Sequence, residues 1–257
     1  MAFFQHEGLE LHYIDEGPRD GFPVMLVHGF ASSILVNWQE PGWVDTLTKA
    51  GLRVIAFDHR GHGKSAKPHD ASFYTPRAMA SDADALLEHL NLERAVFFGY
   101  SMGARVSAYA ALHYQSRVAA LVLGGLGYGL IDGVGDWDPI AEALLAPSLA
   151  DVTDERGRMF RSFADRTRSD RLALAACIST SREEPSADEV ATITVPVLIG
   201  VGTRDDIAGS AQKLANLMPN AHAFDIAGRD HMLAVGDRTF KAEVLRFLNE
   251  NGFTLAD

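Results

Sequence analysis

The chain has 257 residues, 47% of them apolar and 22% charged, which is enough to bury the core of one large α/β domain. Its net charge of −11 opposes partnership with nucleic acid or an anionic membrane, because both surfaces repel it. The start, Met1-Ala2-Phe3-Phe4-Gln5-His6-Glu7, lacks the basic flank and apolar core of an export signal, and no run of about 18 apolar residues is long enough to cross a bilayer. A soluble cytoplasmic protein with no membrane partner is therefore expected. The single cysteine, Cys177, leaves no internal disulfide and no thiolate cluster for a metal.

Along the chain, short apolar runs predict strands at Leu11 to Ile14, Val24 to Val27, Arg53 to Phe57, Ala95 to Phe98, Ala119 to Leu123, Val197 to Val201 and Ala221 to Ile226. Most are continuous rather than alternating, the mark of parallel strands covered on both faces. A turn at Gly8 makes the first strand half of an antiparallel edge pair. Helical patterns fill the intervals at Asn37 to Ala50, Arg77 to Leu90, Ala104 to Tyr114, Ser210 to Leu217 and Arg238 to Asn251. The expected fold is α/β, a mostly parallel doubly wound sheet of about eight strands flanked by helices. Between the strand ending near Gly124 and the one opening at Pro196, about 70 residues hold no strand pattern. They do hold helical ones, Thr153 to Arg166 and Asp170 to Ser179. The expected division is a core of residues 1–130 and 191–257 with a helical lid of residues 131–190.

Gly99-Tyr100-Ser101-Met102-Gly103 joins a predicted strand to a predicted helix. A serine at such a turn is held in a strained conformation, flanked by glycines that let the two elements approach, with its hydroxyl at a helix N-terminus. A serine nucleophile needs a histidine to take its proton and a carboxylate to orient that histidine. On a parallel sheet both belong after later strands. Asp205 follows the Val197 strand and His231 follows the Ala221 strand; Asp206 and Asp132 remain alternative acids. The oxyanion requires preorganised donors, and the glycine turn His28-Gly29-Phe30 places the Phe30 N–H to act with that of Met102. The Phe30 side chain then walls the pocket, while His28 braces the loop. Tyr100, Trp137, Phe160, Phe163 and Leu174 are candidates to line an apolar acyl pocket.

Rival motifs fail on spacing. Gly63-Lys64-Ser65 lacks the P-loop glycine five positions earlier, where Asp58 stands. The glycines from Gly124 to Gly129 lack the third dinucleotide glycine, where Leu130 stands.

Taken together, these residues resemble the α/β-hydrolase fold superfamily, particularly its small lidded carboxylesterase-like members. The resemblance covers nearly the whole chain: the elbow at Ser101, His28-Gly29, the D-x-R-G-x-G-x-S turn from Asp58 to Ser65, Gly202-x-x-Asp205 and the late His231. It implies Ser101 as nucleophile, Asp205 as acid, His231 as base, and Phe30 and Met102 as oxyanion donors. It also absorbs the His59-x-x-His62 pair, so no metal and no cofactor is expected. Two departures are Ala104, where a second glycine is common, and Arg229-Asp230 between Gly228 and His231. A serine also sets the chain apart from relatives with an aspartate nucleophile, such as haloalkane dehalogenases and epoxide hydrolases. The expected activity is cleavage of a carboxylic ester of a small, partly apolar substrate. Lactones, thioesters, perhydrolysis, carbon–carbon cleavage and a non-hydrolytic ligand receptor are the alternatives, and oligomeric state is left open.

Overall fold

The chain was analysed as a computed structural model that describes residues 2–254. Its eight strands are β1 (Ala2–His6), β2 (Leu9–Glu16), β3 (Pro23–Val27), β4 (Arg53–Phe57), β5 (Ala95–Tyr100), β6 (Val118–Gly124), β7 (Val197–Gly202) and β8 (Ala221–Ile226). They form one sheet in the order β1-β2-β4-β3-β5-β6-β7-β8. β1 and β2 run antiparallel as a hairpin whose two turn residues, Glu7 and Gly8, both sit at positive φ, as a tight twisted hairpin requires. β2 joins β4 antiparallel, and from β4 onward every pairing is parallel.

The apolar runs are explained by burial on both faces. Along β5, Ala95 and Phe97 enter one core with Met79, Ala83 and Leu86 of helix α2 (Pro76–His89) and Ala104 and Ala108 of α3 (Met102–His113). Val96 and Phe98 enter the other, with Val44 and Leu47 of α1 (Trp43–Lys49) and Phe240 and Val244 of α11 (Arg238–Glu250). Phe98 meets Trp43, Trp38 and Phe240 edge-on at centroid distances of 4.6, 4.9 and 5.9 Å, a geometry that adds to simple area burial.

The helix expected over residues 37–50 is split. Leu35–Gln39 makes one wide turn, with Glu40 N–H donating to Leu35 O at 2.9 Å, and α1 starts only after Gly42, whose φ is 76°. Pro41-Gly42 accounts for the break, since proline removes a donor and glycine takes the left-handed conformation. The helix expected at 210–217 is the short α9 (Ala211–Ala215), capped by Ser210, whose Oγ accepts from Lys213 N at 3.1 Å.

Five helices lie between β6 and β7: α4 (Gly129–Asp132), α5 (Asp138–Leu145), α6 (Glu155–Thr167), α7 (Arg171–Thr180) and α8 (Ala187–Ala191). α6 and α7 start where Asp154 and Asp170 accept the free N–H groups of their first turns, the ordinary N-cap device. Arg161 ties α6 to α5 through the carbonyls of Ala143 and Ala146 at 2.9 and 2.7 Å. Leu174 packs in the core, fully buried, and lines no cavity at the nucleophile. Among the described residues, no helix is long and apolar enough to cross a membrane.

Strand order positions the site. From β3 the chain steps to β4 on one side and then crosses to β5 on the other, so β3 and β5 flank the point where the winding reverses. Ligands of open α/β sheets bind beyond the carboxyl ends of the strands at that point. The loops that leave β3 and β5 there carry Phe30 and Ser101.

Candidate active site

Ser101 stands between β5 and α3 at φ 54°, ψ −116°, a conformation that costs a non-glycine residue about 1–3 kcal/mol and persists only when the surroundings impose it. The surroundings are two glycines. A Cβ on Gly99 would lie 2.2 Å from Gly103 O, and one on Gly103 would lie 1.9 Å from Val27 O. Ala104, by contrast, is accommodated in the core. The strand and the helix can therefore close on each other only as this sequence allows, and Ser101 N–H is held by Gly124 O at 2.8 Å.

His231 Nε2 lies 3.0 Å from Ser101 Oγ, and His231 Nδ1 lies 2.8 Å from Asp205 Oδ2. The Asp205 side chain is fully buried, whereas Asp206 and Asp132 are exposed and make no contact with His231 among the described residues. Burial alone would raise the Asp205 pKa, but the bond to His231 and the N–H groups of Ala208 and Ile207 outweigh it and hold the carboxyl below its ordinary value. Asp205 thus stays ionised, able to fix the histidine tautomer that leaves Nε2 facing the serine.

The two residues intervening before His231 anchor its loop. Asp230 Oδ1 accepts from Met232 N and Leu233 N at 3.1 and 2.8 Å, starting α10 (His231–Ala234), and Arg229 donates to Asp237 at 2.6 Å. The Arg229 carbonyl accepts from Arg204 N at 2.9 Å, which couples the histidine loop to the acid loop. The sequence held no pattern for one further brace: Tyr100 Oη donates to His231 O at 2.6 Å.

Phe30 and Met102 wall one cavity with Ser101, and among the described residues no hydrogen bond uses the backbone N–H of either. The Phe30 loop is held from below. Gly29 N–H donates to Asn37 Oδ1 at 3.0 Å, and Ala31 is forced to φ 58°. His28 Nε2 accepts from His59 N–H at 3.0 Å, so its Nδ1–H donates to Gly29 O at 2.8 Å. Behind this loop the buried Asp58 accepts from Ile34 N at 2.8 Å and Lys64 N at 3.0 Å, with His12 Nδ1 2.8 Å away. The D-x-R-G-x-G-x-S turn is thus a brace for the Phe30 loop. Its Gly63 is required because a Cβ there would overlap the Asp58 carboxyl at 2.2 Å.

His28, His59 and His62 are all buried, with ring centroids 4.6 to 6.2 Å apart. Burial pushes all three pKa values down, that of His62 to about 3. Each is neutral in the fold, while the unfolded chain takes up protons near the ordinary histidine value of about 6.5. Stability is therefore complete above that value and is lost as pH falls from it towards 3. His62 alone should cost about 2 kcal/mol between pH 7.5 and pH 5. Urea unfolding at the two pH values measures it, and equal stabilities would contradict neutral burial.

A cavity of about 400 Å³ opens over Ser101 and His231. Phe30, Tyr100, Trp137, Phe160 and Phe163, the five candidates besides Leu174, all line it, as do Met159 and Met232, which the sequence did not single out. Phe160 stacks at a tilt on Phe30 and Trp137 at 5.6 and 5.8 Å. Trp137, just before α5, and Met159, Phe160 and Phe163 of α6 therefore give this cavity much of its apolar wall from the segment between β6 and β7. Among the described residues no group of three or more side chains could hold a metal ion.

Comparison with known proteins agrees with this fold. Residues 23–146 match the family model of the alpha/beta hydrolase fold. The chain is 32% identical to a non-heme chloroperoxidase of Streptomyces lividans, over 94% of this chain and 97% of that protein. It is 31% identical to a non-heme haloperoxidase of Rhodococcus erythropolis over the same shares. A bromoperoxidase from Bacillus anthracis superimposes with a TM-score of 0.78 at 25% identity, over 94% of this chain and 96% of that one. The chain belongs to the α/β-hydrolase fold superfamily.

Proposed function

We propose that this protein is a serine hydrolase that cleaves a carboxylic ester of a small, partly apolar substrate through an acyl-enzyme. The observation that supports this reading is the unbroken hydrogen-bonded series Asp205–His231–Ser101 at the floor of the aromatic cavity. Ser101 Oγ attacks the ester carbonyl while His231 Nε2 takes its proton, and the Phe30 and Met102 N–H groups receive the oxyanion. The carbon–oxygen bond to the alcohol then breaks, and His231 returns the proton to the leaving oxygen. Water, deprotonated by the same nitrogen, attacks the acyl-serine, releasing the acid and restoring the serine hydroxyl. A serine alkoxide suits this chemistry because it adds reversibly to a carbonyl and is a competent leaving group from the tetrahedral adduct.

The names of the two full-length relatives favour a second reading of the same acyl-enzyme. Hydrogen peroxide in place of water would release a peroxy acid, an oxidant of halide ions, with the serine restored in the same way.

The test is the time course with an aryl acetate. A burst of one equivalent of phenol per protein followed by slower turnover is expected; a linear time course together with no acetyl transfer to added hydroxylamine in competition with water would remove the acyl-enzyme. In the same assay Asp205→Asn should slow the burst by on the order of 10³-fold or more, because the wrong tautomer then faces Ser101. Asp206→Asn, at an exposed position, should stay near wild type; the reverse ranking would move the acid role.

A further inference from the structure

Ser101 faces two cavities. Besides the large one, a small cavity of about 30 Å³ lies on its other side, and Ser101, Phe30 and Trp137 wall both. His231 lines only the large cavity, whereas Met102 lines only the small one. In the tetrahedral adduct the leaving oxygen must reach His231 to be protonated, so the alcohol half occupies the large apolar cavity. The acyl substituent then points away from His231, into the small one.

The small cavity is chemically unlike its neighbour. Its charged wall residues are Arg105 and Arg182, and no carboxylate lines it. Arg105, one turn into α3, is 3% exposed and has no carboxylate within ion-pair distance among the described residues. Its guanidinium donates only to the carbonyls of Gly129, Leu130 and Glu183 at 2.9 to 3.1 Å. Burial lowers its pKa from the ordinary arginine value. Arg182 has the exposed Asp138 at 3.8 Å, with Asp136 and Glu184 further off. A buried guanidinium whose opposite charge, Glu184, lies beyond ion-pair distance is a costly feature beside a nucleophile, and a carboxylate in the cavity would relieve it. The volume holds about two or three water-sized groups, which matches the three non-hydrogen atoms of a carboxylate, with one or two methylenes lying between it and Ser101.

We propose that the small cavity is the acyl subsite and that it selects a short acyl chain ending in a carboxylate, so that the preferred substrates are half-esters of small dicarboxylic acids with an apolar alcohol. This rests on the acyl-enzyme reading above. It also reassigns the aromatic residues of the large cavity from the acyl chain, expected from the sequence, to the alcohol.

The experiment compares 1-naphthyl hydrogen succinate with 1-naphthyl butyrate, which share a leaving group and differ in the terminal charge, after subtraction of spontaneous hydrolysis. In the wild-type protein kcat/KM should favour the succinate by about tenfold or more, an effect of about 1.4 kcal/mol. The ratio should fall to about one in Arg182→Met and recover partly in Arg182→Lys, since lysine keeps the charge but not the planar fork. A wild-type ratio of one or below, with butyrate turned over, overturns the carboxylate subsite and leaves the esterase reading standing. A high ratio that survives Arg182→Met also overturns it, because the selectivity then arises elsewhere. Turnover of neither ester, with no burst of naphthol, overturns the acyl-enzyme and this inference with it.

Discussion

Replacing Ser101 with alanine is expected to lower ester turnover by at least about 10³-fold, because serine and histidine act as a unit and removal of either abolishes the covalent route. The fold should be unaffected. Among the described residues Ser101 Oγ makes its hydrogen bond only to His231, and the strained backbone of the elbow is imposed by Gly99 and Gly103. Alanine tolerates this conformation no worse than serine, so the thermal midpoint should stay within a few degrees of wild type. The variant should also resist labelling by a small fluorophosphonate, which the wild type takes up stoichiometrically. Folded Ser101→Ala protein with near-native turnover would discard the whole mechanism.

Gly103→Ala should act in the opposite way, through the fold first. Its new methyl would stand 1.9 Å from Val27 O and 2.6 Å from His28 O, so α3 must lift from β3 or the β3 loop must yield. Both neighbours are backbone and cannot rotate aside. A loss of more than about 3 kcal/mol is expected, in the range reserved for overpacking and forced backbone movement. Any folded fraction should be poor in activity, since the displaced loop carries Phe30. Gly236→Ala is the control: its nearest neighbour would be Pro41 Cβ at 3.6 Å, an ordinary contact, and a change within about 0.5 kcal/mol is expected. Urea unfolding of the two variants decides, and equal stabilities would show that the elbow has slack absent from this structure.

The parts of the site that sequence made legible are those in which chemistry and geometry are encoded within a few residues. Gly99 and Gly103 mark a close approach, Ser101 lies between them, and the carboxyl ends of β7 and β8 are the natural places for Asp205 and His231. The fold was readable for a related reason, because strands buried on both faces leave apolar runs that polar alternation does not interrupt. What escaped depends on long-range packing. Arg105 reads in sequence as one more helical arginine, and only the tertiary placement of Gly129 and Glu183 makes it a buried cation. Asn37 acquires its role because the Leu35–Gln39 turn brings its amide to Gly29, at a distance of eight residues with no periodic signature. The Tyr100 hydroxyl finds a carbonyl 131 residues away. The split of the helix at 37–50 is different in kind. Pro41-Gly42 announced it, and the apolar periodicity of the flanking residues masked a local signal that physically dominates.

Asp58 has a consequence for how the protein can be rebuilt. Its carboxylate joins His12 on β2, the inner strand of the N-terminal hairpin, to Ile34 just beyond the Phe30 loop, so that hairpin is not ornamental trim on the sheet. A hybrid in which residues 1–16 come from a homologue would keep a Phe30 loop tuned to a different partner at position 12. Modular exchange at that boundary is therefore safe only when His12 travels with Asp58, and the two belong to one heritable unit despite lying in separate elements.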